Sequence, residues 1–232
     1  NVAHKPFDNK LVRQAVNYCV DAAAIVKNIF DGIAYPNQGP VGLEVVGVDP
    51  KLKPYPHDPN RAKELLAQAG YAQGCDVRLY YSAGTYPKDR EVCQVVAAQM
   101  VKGGFRVELI SQEYALHWGP EGVNGGKLPF YYENRGSLTD ADTIYDQYFR
   151  TGTTKRTNYS NPEFDKIIEE EQRTYDPKKR VALLQQAGKI IMEEALMVPL
   201  YNLADIYGLS KNLAWKIRPD EKVLSWDMKI IS

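Results

Sequence analysis

The stretch that decides the fold begins Asp76-Val77-Arg78-Leu79-Tyr80-Tyr81-Ser82, continues through residues 87–102, and closes with Phe105-Arg106-Val107-Glu108-Leu109-Ile110. In its first piece Val77, Leu79 and Tyr81 alternate with Arg78 and Tyr80, a period of two that turns one face of a strand toward a core. The last piece is similar. Between them Val92, Val95, Val96 and Met100 follow helical spacing, and Gly103-Gly104 ends the helix. Strand, helix and strand within about 35 residues predict a βαβ unit with parallel strands, and so an α/β fold.

Outward from this unit, helix starts are marked by one recurring device, a capping Asp or Asn followed by Pro at the first helical position: Asp58-Pro59, Asn161-Pro162 and Asp176-Pro177. Apolar stripes follow each cap: Ala62, Leu65, Leu66 and Ala69; then Phe164, Ile167 and Ile168; then Val181, Leu184, Gly188, Ile191 and Ala195. Two more helices are expected near the start, one capped by Asp8 and carrying Leu11, Val12, Ala15, Val16 and Cys19, the other capped by Asp21. Residues 129–134 read as a short aromatic strand, and the tail from Val198 as two or three more strands. Residues 35–57 hold five Pro and three Gly and read as a surface excursion. No interdomain linker stands out, so one compact unit is the default.

Composition narrows the function. The 232 residues carry 29 basic and 29 acidic side chains, and this balance argues against a surface that binds nucleic acid by phosphate neutralisation. No apolar run approaches the roughly 20 residues of a membrane-spanning helix. Cys19, Cys75 and Cys93 lack C-x-x-C spacing and read as buried thiols rather than a disulfide or zinc framework. Tyr contributes 16 of the aromatic residues, against 6 Phe and 3 Trp, a bias toward half-wet surfaces.

Motifs for chemistry are mostly absent. His4, His57 and His117 are far apart, no G-x-S-x-G elbow occurs, and no catalytic pair emerges. Gly125-Gly126-Lys127 has the ending of a phosphate-binding loop, but Leu128 stands where Ser or Thr is required and Glu121 where the first Gly belongs. Glu113, His117 and Glu121 have helical spacing for a metal, yet Gly119-Pro120 interrupts the helix that would align them, so no metal or other cofactor is expected. One constellation remains. Tyr114, His117 and Trp118 precede a Gly-rich loop, and Tyr131, Tyr132, Asn134, Arg135 and Ser137 follow it, where a strand end meets loops. Aromatic walls with amide, guanidinium and hydroxyl groups suit a small polar ligand at the carboxyl ends of strands. A half-exposed sheet edge with Tyr ladders is the competing account.

Taken in order, several segments also carry a family likeness: Pro6-Phe7-Asp8 through Val12-Arg13-Gln14-Ala15-Val16 to Asp21; Asp58-Pro59 through Leu65-Leu66 to Ala69-Gly70-Tyr71; Asn161-Pro162-Glu163-Phe164-Asp165; and Asp176 with Arg180 leading to Glu194-Ala195 and Val198-Pro199-Leu200-Tyr201. The chain resembles the C-terminal part of family 5 extracellular solute-binding proteins, the oligopeptide, dipeptide and nickel receptors of bacterial ABC importers. The resemblance implies a periplasmic-binding-protein-like lobe over residues 1–232, with a central mixed sheet containing the βαβ unit and flanking helices, and a first lobe absent from this chain. It implies capture of a peptide, sugar or other polar solute between two lobes and delivery to a membrane permease, outside the cytoplasm, with any lipid anchor on a segment not in this chain. In peptide-binding relatives an acid in the segment matching residues 132–142 pairs with the ligand's amino terminus. Alignment on Asp140-Ala141-Asp142 puts Ser137 at that position, and a gap of a few residues would put Asp140 there. A ligand-sensing module of a transcriptional regulator is the alternative, and a hydrolase a more distant one.

Overall fold

The computed structural model describes residues 1–136, 138–153, 155–218 and 221–231. The βαβ unit forms as the alternation requires. Strand β2 (Cys75–Ser82), helix α4 (Asp89–Lys102) and strand β3 (Phe105–Gln112) follow in order, and the strands pair in parallel from Cys75 against Phe105 to Ser82 against Gln112. Asp89 begins the helix. Its carboxylate accepts the N–H groups of Thr85 and Tyr86, so the turn before α4 is held from inside the helix.

The Asp-Pro and Asn-Pro devices open the helices predicted for them. Asp58, Asn161 and Asp176 cap α3 (Pro59–Gln68), α7 (Pro162–Gln172) and α8 (Pro177–Glu193), each accepting backbone N–H groups of the first turn. After α3, Gly70 takes φ +91°, the left-handed stop that favours glycine. Helix α1 (Lys10–Cys19) is capped by Asn9 and not by Asp8: the Asn9 Oδ1 accepts the Leu11 N–H. Asp21 caps α2 (Ala22–Ile29) as expected.

The sheet is less continuous than expected. Instead of one central mixed sheet, the described residues form three two-stranded pieces: β2 with β3, β1 (Ala34–Pro36) antiparallel to β4 (Tyr201–Leu203), and β5 (Leu213–Trp215) antiparallel to β6 (Met228–Ile230). Residues 129–134 do not form a full strand. They meet β2 through a single parallel bridge at Tyr80 and Tyr131, because the chain turns away after Tyr132 donates its N–H to the Tyr80 carbonyl.

Two apolar cores result. The first packs Val12, Leu66, Leu79, Met100 and Phe105 from α1, α3, β2, α4 and β3; the second packs Tyr145, Phe164, Ile168, Leu184 and Ile191 from α6 (Asp142–Phe149), α7 and α8. Gly188 lets α8 approach α6, since a Cβ there would sit 2.7 Å from the Tyr145 hydroxyl. Arg13 of α1 ties the cores together. Buried and 9% exposed, it donates to the carbonyls of Phe7 and Glu194, and Lys10 Nζ lies 2.7 Å from the Glu194 carboxylate. All three cysteines are buried free thiols, and no helix among the described residues is long and apolar enough to cross a membrane.

Candidate functional site

Where the two cores meet, at the carboxyl end of β2, they leave a cavity of about 260 Å³. Leu79, Val96 and Tyr132 wall it from the first core, and Val41, Ile144 and Phe149 from the second. The segment 132–135 crosses its mouth. This segment has left the sheet ladder but not yet joined the next element, and among the described residues no backbone–backbone hydrogen bond involves residues 133–136. Backbone outside any ladder, with the Asn134 backbone bonded to Tyr86, lies here beside an apolar hollow.

Charge at the mouth is organised around Tyr148, near the end of α6. Its hydroxyl donates to the Glu133 carboxylate and accepts from Arg156, while Arg135 approaches at 3.4 Å. The Arg135 and Arg156 guanidinium carbons stand 5.6 and 4.8 Å from the Tyr148 ring centroid. Glu133 and Arg156 are each 14% exposed and lie 3.7 Å apart. Burial pushes the Glu133 carboxyl above its usual range, while the Tyr148 hydroxyl and the two arginines oppose that shift. Burial, and then the Glu133 charge, also raise Tyr148, so its phenol keeps the proton it donates.

The expected site residues divide in space. Tyr132, Asn134 and Arg135 line the cavity, with Tyr132 at its floor, where its hydroxyl meets that of Tyr201 at 2.5 Å. Trp118 lies next door, in a second recess, with Arg156 5.6 Å over its ring. Tyr114 is exposed on α5 (Tyr114–Trp118), away from both hollows. His117 is wholly buried: its Nδ1 is 3.1 Å from the Gln112 Oε1, its ring packs on Trp118 and Tyr131, and burial lowers its pKa to about 4. Asp140 also faces away. Arg180 grips both its oxygens at 2.6 and 3.0 Å and the Asp142 N–H donates to it, which places it at the start of α6. Ser137 lies outside the described residues.

Three principal residues of the site escaped sequence reasoning: Glu133, Tyr148 and Arg156. Glu133 carried a usable signal, an acid set inside the aromatic run at a strand end. Tyr148 and Arg156 carry no comparable local signal. Nothing local says that they converge.

The arrangement is an α/β unit with a cavity beside a parallel strand pair, walled by apolar and aromatic side chains and flanked by charged groups. The chain belongs to the bacterial extracellular solute-binding proteins, family 5, whose middle-region profile matches residues 1–156. It is 32% identical over 231 residues to the glutathione-binding protein GsiB of Escherichia coli strain K12, covering 95% of this chain and 44% of that protein. Among solved structures, the periplasmic binding protein DppA of Helicobacter pylori, in complex with the peptide STSA, superimposes with a TM-score of 0.78 at 26% identity, over 87% of this chain and 40% of that one. HbpA2 of Haemophilus parasuis has the same fold, with a TM-score of 0.88 at 21% identity, over 99% of this chain and 46% of its own. The chain therefore spans less than half the length of each of these relatives. GsiB and DppA are named as binding proteins.

Proposed function

We propose that this chain is the second lobe of the substrate-binding component of an ABC importer. It holds a small polar solute, peptide-like in the first instance, against residues 132–135 and hands it to a membrane permease. The receptor works in the periplasm or at the cell exterior, and any lipid anchor belongs to a segment outside this chain. The observation that carries the reading is the cavity lined by Glu133, Asn134, Arg135 and Tyr148, with the Glu133 carboxylate held by the Tyr148 hydroxyl and by Arg156 beside it. In this reading Glu133, rather than Ser137 or Asp140, offers its carboxylate to a ligand ammonium group in exchange for its contacts with Tyr148 and Arg156, while Arg135 suits a carboxylate. The glutathione and peptide ligands in the names of the relatives carry both kinds of group. A missing lobe also accounts for apolar side chains left in solvent along the tail, with Ile206 71%, Trp226 77% and Ile230 89% exposed.

Native mass spectrometry of the full gene product, purified without refolding, tests this reading. A co-purified solute is expected, and it should be lost on Arg135→Ala and on Glu133→Gln. A solute adduct that persists in both variants sinks the proposed site.

A further inference from the structure

Next to the cavity, and separated from it by Arg135, Gln147, Tyr148 and Arg156, lies a wider recess of about 1010 Å³. The turn-rich loop at residues 118–127 forms one bank, and residues 151–153 and 155–160 form the other. Lys127, Lys155 and Arg156 line it, and among the described residues no Asp or Glu does. This is a pronounced local segregation in a chain whose 29 basic and 29 acidic residues cancel overall. Among the described residues neither Lys127 nor Lys155 has an ion-pair partner, although ion pairs occupy many of the chain's other cations.

The recess opens to solvent, with Lys127 and Lys155 exposed on its banks, and its inner wall is held in place. Arg156 is 14% exposed and fixed on the shared wall, with its Nε donating to the Asn124 Oδ1 at 3.0 Å and its guanidinium over the Trp118 ring. Trp118 Nε1 is buried and lacks an acceptor among the described residues. Gly126, in the left-handed region at φ +70°, turns the loop so closely on the opposite bank that a Cβ would sit 2.7 Å from the Lys155 carbonyl oxygen. That contact draws the Lys127 and Lys155 segments together. The Gly125-Gly126-Lys127 run, which fails as a nucleotide-binding loop, here joins a basic hollow.

The geometry points to an anion-binding site in this recess, taking small solutes with two or more negative charges, whether phosphate or carboxylate. Lys127 and Lys155 share the recess with Arg156, whose ion-pair partner Glu133 lies on the side of the neighbouring cavity, so a multivalent anion gains from each cation while a neutral solute gains from none. The cations that carry the site, Lys127, Lys155 and Arg156, lie outside the solute assignment at residues 132–135, so the inference is tested separately from the importer reading.

The test is titration of the ¹⁵N-labelled chain with pyrophosphate, with citrate as the carboxylate arm and glucose as the neutral control. Saturable shifts are expected at the amides of Gly125, Lys127, Gly152, Lys155 and Arg156, weakened by added salt, with none from glucose. The Lys127→Gln/Lys155→Gln double variant, which changes only exposed side chains, should weaken the tighter anion roughly tenfold or more. Whichever anion binds tighter identifies the group the site prefers. Shifts that never saturate, or that are unchanged in the double variant, overturn the site.

Discussion

Glu171 and His117 show how burial sets opposite pH responses within one small protein. The Glu171 side chain is fully buried on α7, facing Asp142 and Asp140 and lying 2.9 Å from the Arg180 Nε. Burial, then the neighbouring Asp142, lift its pKa to about 8, so the folded protein keeps a proton that the unfolded chain releases from about 4.3 upward. Its contribution to stability is present at low pH and is lost as pH rises toward 8. Glu171→Gln should therefore raise the melting temperature at pH 8 by a few degrees, roughly what 1 kcal/mol produces, and change it little at pH 5. His117 has the reverse sign. With its folded value at about 4 and an unfolded value near 6.5, the unfolded state binds the extra proton, so its contribution is complete above about 6.5 and is lost on acidification toward 4. Its imidazole NMR signals should stay at their neutral positions down to pH 5; protonation near 6.5 would mean the ring is not buried as described.

Helices and strands bring these residues together, and their ends are where prediction and structure part by a residue. The cap of α1 is the clearest case. Both Asp8 and Asn9 are good capping residues, and only the backbone path decides that Asn9 faces the first turn. Asn9→Ala should cost about 1 kcal/mol in chemical denaturation and Asp8→Ala far less; equal costs would return the cap to Asp8. Gly188 tests the approach of α8 to α6. Gly188→Ala puts a methyl against the Tyr145 hydroxyl, and a loss of about 1–3 kcal/mol is expected in place of the gain that Ala usually brings inside a helix. Because α6 also carries Tyr148, the same variant should disturb the Glu133–Tyr148 contact, visible as shifted amide signals at residues 133–135.

Across the whole molecule, the segments that carried the family likeness prove to be joined in space. Arg13 lies in the first of them and Glu194 in the last, and their bonds tie α1 to the end of α8. Arg180 of the last holds Asp140, and Asp165 of the third accepts the Thr151 N–H beside the basic recess. In sequence these read as caps and stripes; in the fold they are long-range struts. Arg13→Met removes the bonds to Phe7 and Glu194 and leaves their acceptors unpaired, so a loss of about 3 kcal/mol is expected in urea titration. For ligand capture the expectation follows from half a site. Calorimetry should find the transported solute bound weakly or not at all by this chain, since closure of two lobes supplies burial from both sides. Micromolar affinity for that solute would contradict the two-lobed reading.

The βαβ unit, the three Pro-marked helices and the strand-end position of Tyr132, Asn134 and Arg135 were all readable from residue order, because caps, stops and apolar periods act within a few residues of one another. The identity of the cavity's acid was not. Glu133, Tyr148 and Arg156 belong to three separate segments, and each looks ordinary within its own; only the packing of α6 against the end of β2 sets them around one hydroxyl. For the same reason sequence spacing does not reveal that His117 is buried against Trp118 and Tyr131, or that Arg180 holds Asp140. Burial and pairing depend on what the rest of the chain places opposite a residue, and no local spacing records that.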